Sequence, residues 1–290
     1  NVSSDVLNGF TQVEAGLTRT NDNVEQRNAA IMASLRTFSE QNPDKGRRWY
    51  DKAAEVRHFT DLLYRTVDSL KLLIVAKADG DGADIHDIVN RDDLEAAAVV
   101  MLNPANRRGE ALRHDIESYR EYIGSIITDP VRRANIEAAL STEPVTAPGE
   151  LAGSSWEELK FDNQPVVAAV TLLTKLQNDI KYAEGETLAT LLDNVDAGDV
   201  RVNELNAFVI PQSRFVMRGG KYQANIVLAA VDTTQRPAIY VNGNLLADDH
   251  GVYETVAGAS GNYDYTGYLE VPHGDGTVTR HDFTSSYTVI

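Results

Sequence analysis

Residues 165–194 read PVVAAVTLLTKLQNDIKYAEGETLATLLDN, and the spacing of their apolar residues decides how the rest of the chain is organised. Val166, Leu173, Ile180 and Thr187 stand seven apart, with Ala169, Leu176, Ala183 and Thr190 between them. This 3-4 alternation keeps a narrow stripe on one side of an α-helix, the seam that packs into a bundle or coiled coil. The candidate packing seam is therefore Val166, Ala169, Leu173, Leu176, Ile180 and Ala183. Val167, Val170, Leu172, Leu188, Leu191 and Leu192 widen the stripe, which predicts neighbours on more than one side. Asp162 and Asn163 suit the N-cap, and Pro165 suits the first turn, where its missing N–H costs nothing. At about 1.5 Å per residue the helix is on the order of 45 Å long. The sequence beyond Asn194 is β-rich, so the helix marks the division between two architectures.

Upstream, the same rhythm recurs. Val6, Phe10, Val13, Leu17, Thr20, Val24, Arg27, Ile31, Ser34 and Phe38 define a stripe on a helix that Ser3 or Ser4 can cap and that runs to Gln41. Asn42-Pro43 interrupts it, because proline disfavours a helical residue before it. Trp49, Ala53, Val56, Thr60, Leu63, Val67, Leu70 and Ile74 then mark a second long helix through Ala78. Two such helices joined by a short turn read as an antiparallel hairpin. Shorter helices are predicted from Asp92 or Asp93 to Leu102, from about Arg107 to Thr128 and from Asp129-Pro130 to near Leu140. The Arg107–Thr128 helix carries Leu112, Ile116, Tyr119, Ile123 and Ile126 on one face. Ser155-Trp-Glu-Glu158 has capping-box spacing and leads into the organising helix.

Downstream, Asp196-Ala-Gly-Asp199 reads as a linker, and the period falls to two. Tyr222, Ala224, Ile226, Leu228 and Ala230 alternate with polar residues, as in a half-buried strand. Asn242-Gly243 is the preferred type I′ hairpin dipeptide between Ile239–Val241 and Leu245-Leu246. Gly219-Gly220 reads as a hairpin turn before the Tyr222 strand. Further strands are expected at Phe208–Ile210, Phe215–Met217, Val252–Thr255, Tyr263–Leu269 and Phe283–Ile290, a spacing typical of a β-sandwich. The expected fold is multidomain, α then β. An elongated helical bundle over residues 1–194 precedes an immunoglobulin-like β-sandwich over residues 195–290. The chain opens at Asn1 without a Met or a signal-like segment and ends in a predicted strand, so it reads as a fragment of a longer polypeptide.

Composition excludes several functions. The 290 residues are 42% hydrophobic and 24% charged, ordinary for a globular protein with a sizeable core. A formal charge of -16 argues against nucleic-acid or anionic-membrane binding, which needs a concentrated basic face. The acidity is concentrated upstream: 21 basic and 34 acidic residues precede Arg201, against 6 and 9 from it onward. With no cysteine there is no disulfide, zinc-thiolate site or cysteine nucleophile.

No motif carries catalysis, a cofactor or a metal. None of the 6 histidines has a partner in a His-Glu-x-x-His pattern. Asp79-Gly-Asp-Gly-Ala-Asp84 invites a calcium reading, but Ala83, Asp84 and Asn90 break the EF-hand pattern at three positions, leaving an acidic turn. Gly258-Ala-Ser-Gly261 lacks nucleophile-elbow spacing, and Gly219-Gly220 lacks the Lys-Ser/Thr of a phosphate loop. Carboxylates are too abundant for any one pair to signal a glycosidase dyad. The pairs Arg47-Arg48, Arg107-Arg108 and Arg132-Arg133 read as solvated or ion-paired helix surface.

Taken in order, several of these residues resemble a known family. Phe10-x-x-Val-Glu-x-Gly-Leu-x-x-Thr-Asn21 precedes Arg27-Asn28, then Trp49-Tyr50, Ser155-Trp156-Glu157, Pro165-Val-Val-Ala-Ala and Leu173-Thr-Lys-Leu-Gln177 with Asp179 and Ala183-Glu184. The β part adds Val209-Ile-Pro211, Gly219-Gly-Lys-Tyr222 and Leu228-Ala-Ala. Together they resemble the GldM/PorM family, periplasmic components of gliding motility and type IX secretion, over essentially the whole chain. The resemblance implies a transmembrane helix just before Asn1 that anchors the protein to the inner membrane and pairs with a GldL/PorL-type subunit. It further implies a homodimer, later β-domains that reach an outer-membrane-associated ring, and conversion of proton flow into mechanical work. It offers no catalytic residue to carry over, and with the acidic charge and the absence of motifs no cofactor and no nucleic-acid partner are expected. A passive adhesin or receptor stalk with a β binding head, or a hydrolase built from scattered residues, are the competing readings.

Overall fold

The computed structural model describes residues 2–145, 153–197, 207–228, 236–247, 251–272 and 277–290. Among them are seven helices followed by eight strands. Three helices are long: α1 (Ser4–Gln41), α2 (Pro43–Asp79) and α7 (Val166–Ala197). They pack on one another as a bundle, with α1 and α2 antiparallel across a tight turn. Asn42 closes α1 by donating its N–H to the Phe38 carbonyl (2.9 Å), and Pro43 opens α2 where no N–H is needed. Four shorter helices complete the body: α3 (Ala96–Met101), α4 (Arg108–Ile126), α5 (Pro130–Ala139) and α6 (Trp156–Phe161). The Ser155 capping box on α6 forms in both directions.

Every residue of the α2 stripe from Trp49 to Ile74 is buried, and so is the α4 face from Leu112 to Ile126. On α7, Val166, Ala169, Leu173, Ile180 and Ala183 are buried, while Leu176 is only partly buried against the same core. Leu172, expected to widen the seam, is 36% exposed and lies outside it. The start of α7 also differs from expectation. Asp162 ends α6, and Asn163 takes a left-handed φ of 52°, so neither caps α7. Pro165 precedes the helix and its carbonyl accepts from Ala168 and Ala169. The first two N–H groups of α7 instead donate to the loop before α3: Val166 to Asp93 O (3.0 Å) and Val167 to Arg91 O (3.3 Å). A tertiary contact has replaced a side-chain cap, which local sequence does not encode.

The larger correction concerns α1. Its buried positions are Leu7, Asn21, Asn28 and Leu35, with Glu14 partly buried, a heptad one residue later than half of the apolar stripe. Phe10, Leu17, Val24, Ile31 and Phe38 are half-buried beside it. Val6 (49%) and Val13 (54%) are exposed, as are Thr20, Arg27 and Ser34. The helix turned its polar heptad inward because α7 offers hydrogen-bonding groups there.

The β region is a two-sheet sandwich. One sheet has the order β1-β3-β6, from β1 (Ala207–Pro211), β3 (Lys221–Leu228) and β6 (Val252–Val256). The other has the order β2-β8-β7-β4-β5: β2 (Phe215–Val216), β4 (Ala238–Val241), β5 (Asn244–Leu245), β7 (Gly261–Pro272) and β8 (Val278–Val289). Alternate residues of β3 face the core, Tyr222, Ala224, Ile226 and Leu228 all buried, as the period-two pattern requires. Asn242 (φ 49°) and Gly243 (φ 82°) supply the two positive φ values of a type I′ turn between β4 and β5. Gly219-Gly220 differs from the expected hairpin: it joins β2 and β3, which belong to different sheets. Tyrosines fill the sandwich, Tyr222 stacking on Tyr287 (4.1 Å) and sharing a hydroxyl contact of 2.8 Å with Tyr265. The expected linker overlaps α7, which continues through Ala197; Gly198, Asp199 and Ala230 lie outside the described residues.

Leu173→Ala and Ile180→Ala should each cost about 2–5 kcal/mol in chemical denaturation. Leu176→Ala should cost clearly less, because that side chain is already partly in solvent. An equal loss at Leu176 would show that a further surface covers it.

Candidate functional site

Two arrangements stand out from ordinary packing: a ladder of buried and half-buried polar groups inside the bundle, and the junction where the β-sandwich meets the helices.

The ladder joins α1 to α7, which run parallel, and reaches across to α2. Its centre is the pair Glu25 and Glu184. The Glu25 carboxylate accepts from Arg57 (2.7 Å) and Lys181 (2.6 Å), and Glu184 accepts from Asn28 (2.9 Å) and Arg57 (3.1 Å). Asn28 also donates to the Lys181 carbonyl (3.0 Å). Gly185 makes this approach possible, since a Cβ there would lie 2.6 Å from the Asn28 Oδ1. One turn away, Asn21 donates to Thr174 O (3.4 Å) and accepts from Asn178 (3.0 Å), while Thr174 donates to Glu14 (3.0 Å). On the α2 side, Lys71 donates to Gln177 (2.7 Å), which donates to Asp68 (2.7 Å). Burial pushes the Glu25 carboxyl up, but the hydrogen bonds and charges of Arg57 and Lys181 outweigh it and hold it below its usual range. Burial likewise disfavours charge on Arg57, and the two glutamates more than restore it.

The junction is built by α2 and α4 against β1 and β2. Phe208 of β1 is buried in the helical core, edge-on to Tyr122 (5.7 Å), which is edge-on to Phe59 (5.2 Å). Tyr122 donates its hydroxyl to Glu55 (2.5 Å), and Lys52 donates to the same carboxylate (2.6 Å) and to Leu228 O at the end of β3 (3.4 Å). Burial and the Glu55 charge push the Tyr122 hydroxyl well above its usual range, so it stays protonated and donates. Asp115 of α4 and Arg214 beside β2 form an ion pair, both side chains largely buried. Burial raises Asp115 against the opposing pull of that guanidinium. Arg108 lies over the Phe215 ring (5.9 Å).

Among the described residues no three His, Cys, Asp or Glu side chains are placed to hold a metal ion. Asp79, in the acidic turn, spends its carboxylate on the backbone N–H groups of Val89 (2.9 Å) and Asn90 (2.8 Å). His58 is exposed beside Phe59, and His114 sits between Glu110 (3.7 Å) and Glu117 (3.3 Å). No helix among the described residues is long and apolar enough to cross a membrane. The seam residues Val166, Ala169, Leu173, Leu176, Ile180 and Ala183 flank the ladder on α7 rather than forming a site of their own.

A family model described as the GldM N-terminal domain matches residues 5–194, and the GldM second domain matches residues 196–290. The chain belongs to the GldM family. A comparison with curated proteins finds no match. Family membership makes the chain a structural component of gliding motility and type IX secretion. Of the residues that matter structurally in this GldM-family chain, Phe208 was legible only as a strand residue. Asp115 and Arg214 carry no local signal at all; Asn21 and Glu184 stood out only as parts of the family resemblance, and the heptad Leu7-Glu14-Asn21-Asn28-Leu35 is visible once α7 is known to be polar opposite it.

Because the folded-state pKa of Glu25 is depressed, its stabilising contribution is full above the unfolded glutamate value and is lost as pH falls through the folded value. Wild-type unfolding midpoints should therefore drop as the pH falls from about 5 into the acidic range below the unfolded glutamate value. Glu25→Gln should be less stable at neutral pH and show a shallower drop across that window. An unchanged slope would remove Glu25 from the ladder.

Proposed function

We propose that this chain is a force-transmitting strut in the periplasm, coupling an inner-membrane, proton-driven complex to a ring associated with the outer membrane. In this reading residues 1–194 form the membrane-proximal helical rod and residues 195–290 the first β-module. The seam of Val166, Ala169, Leu173, Leu176, Ile180 and Ala183, with the polar ladder, is the spine of the rod. Two copies act side by side as a parallel homodimer. A membrane helix upstream meets a GldL/PorL-type subunit, and later domains meet the ring. The chain works without a cofactor and without enzymatic chemistry.

The observation that carries the reading is the junction. A strut that joined its parts only through a flexible segment would dissipate torque or tilt at that point. Here β1 places Phe208 in the helical core and the turn before β2 places Arg214 on Asp115, so load passes through packed side chains rather than through the connecting segment. A passive stalk has no need of such a coupling, since its binding head only has to be displayed.

The test is complementation with Phe208→Ala combined with Arg214→Ala, in the full-length protein. We expect normal abundance and membrane association, with gliding and type IX secretion both reduced at least about tenfold, roughly the effect of losing more than 1.4 kcal/mol of coupling. Cysteines introduced at matching positions of the naturally cysteine-free chain should cross-link between two copies in the membrane. Unimpaired secretion with lost surface adhesion would instead identify a stalk.

A further inference from the structure

The sandwich has an open side, and the helices only partly close it. Strand β8 pairs with β7 along its entire length, but on its other edge β2 reaches only Thr288 and Val289. Among the described residues, 280–287 have no strand partner on that edge. The N–H groups of Thr288 and Ile290 point to it, donating to Arg214 O (2.7 Å) and Val216 O (3.0 Å). The β7–β8 register runs without a bulge, so Arg280, Asp282, Thr284 and Ser286 direct their backbone groups the same way. An unpaired edge of this kind is a template for another strand unless something covers it.

Helix α4 stands opposite but leaves space. A cavity of about 710 Å³ lies between β8 and helices α4 and α5, and a second of about 290 Å³ continues along β8 to Ser286. Glu121 and the β1 residues Ala207 and Phe208 line both, so the two form one groove with β1 as its floor. Of its cations, Arg280 is paired with Asp282 (2.8 Å) and Arg214 with Asp115, while Arg133 and Arg120 keep their charge and are turned to the carbonyls of Ile127 (2.7 Å) and Leu140 (3.3 Å). Glu121 and Glu137, on the helical wall, have no ion pair or hydrogen bond among the described residues. His281 in the same groove holds its Nε2 buried without a partner.

We infer that this groove is a strand-addition site for an extended, basic segment of a partner protein. The segment hydrogen-bonds to the even-numbered backbone groups of β8 between Arg280 and Ser286. On the face turned to α4 and α5 it presents lysine or arginine to Glu121 and Glu137. Seven residues of edge span roughly 20 Å, room for a segment of six or seven residues. Backbone pairing supplies the affinity in this mode and the side-chain match supplies the selection. The inference rests on the open edge and the two carboxylates, not on the force-transmission reading.

The probe is a nine-residue peptide alternating lysine and valine, acetylated and amidated, added to residues 1–290. We expect saturable binding, with slowed hydrogen exchange at Arg280, Asp282, Thr284 and Ser286. The same peptide with glutamate for lysine should bind at least about tenfold more weakly, and Glu121→Gln with Glu137→Gln should weaken the lysine peptide about tenfold. N-methylating alternate amides of the peptide should abolish binding while leaving its charge unchanged. No binding, equal binding of the glutamate peptide, or indifference to N-methylation overturns the proposal. Exchange protection at these amides that rises with protein concentration in the absence of peptide also overturns it, and assigns the edge to a second copy of the chain.

Discussion

Phe208 belongs to a β-strand but is buried in the core of the helical body, and the relation between the two halves depends on that placement. An aromatic ring set edge-on to Tyr122 contributes apolar burial and a directional ring contact worth about 0.5–1.5 kcal/mol beyond area. The polar groups around it permit one arrangement only. Tyr122 must donate to Glu55, Lys52 must reach both Glu55 and the end of β3, and Arg214 must meet Asp115. Separating the halves would leave Asp115 without its guanidinium and take from Lys52 its contact with Leu228 O, and partly buried charged groups are costly to leave unmatched. The junction therefore has few alternatives at similar energy, as a joint that passes force must.

The same logic operates inside the bundle with the opposite balance. Helix α1 buries most of its apolar stripe only in part, and much of its contact with α7 runs through Glu14, Asn21, Glu25 and Asn28. Buried ion pairs add little net stability over a well-packed apolar seam, since desolvation offsets most of their attraction. What they do supply is register: each group meets its partners at one height, so α1 cannot slide along α7 without breaking several bonds at once. A rod under axial load benefits more from fixed register than from extra stability. The exposed Val6 and Val13 reflect this choice, because inward-facing polar groups push half of the apolar stripe outward.

How much of this was legible in the sequence depends on whether each feature is local. The α2 stripe, the α4 face, the Ser155 capping box, the Asn242-Gly243 turn and the alternation of β3 were all readable, because each arises from a helix or strand period acting on neighbouring residues. The α1 seam was misread by one position because periodicity ranks residues by apolarity, and here the buried heptad is polar. The α7 cap was misread because its donors are satisfied by the carbonyls of Arg91 and Asp93, far earlier in the chain. The junction was not legible at all. Nothing near Asp115 or Arg214 announces that each neutralises the other, and the reading of a division at the end of α7 missed the contacts that bridge it.

The most direct measurement of a rigid junction is a distance distribution between spin labels on the two halves. The absence of cysteine allows labels at Asp51→Cys on α2 and Thr266→Cys on β7, both exposed. The docked junction predicts a single narrow distribution, broadened by Phe208→Ala with Arg214→Ala while each half keeps its secondary structure. A broad distribution in the otherwise unaltered protein would contradict it, and the halves would then be joined by the connecting segment alone.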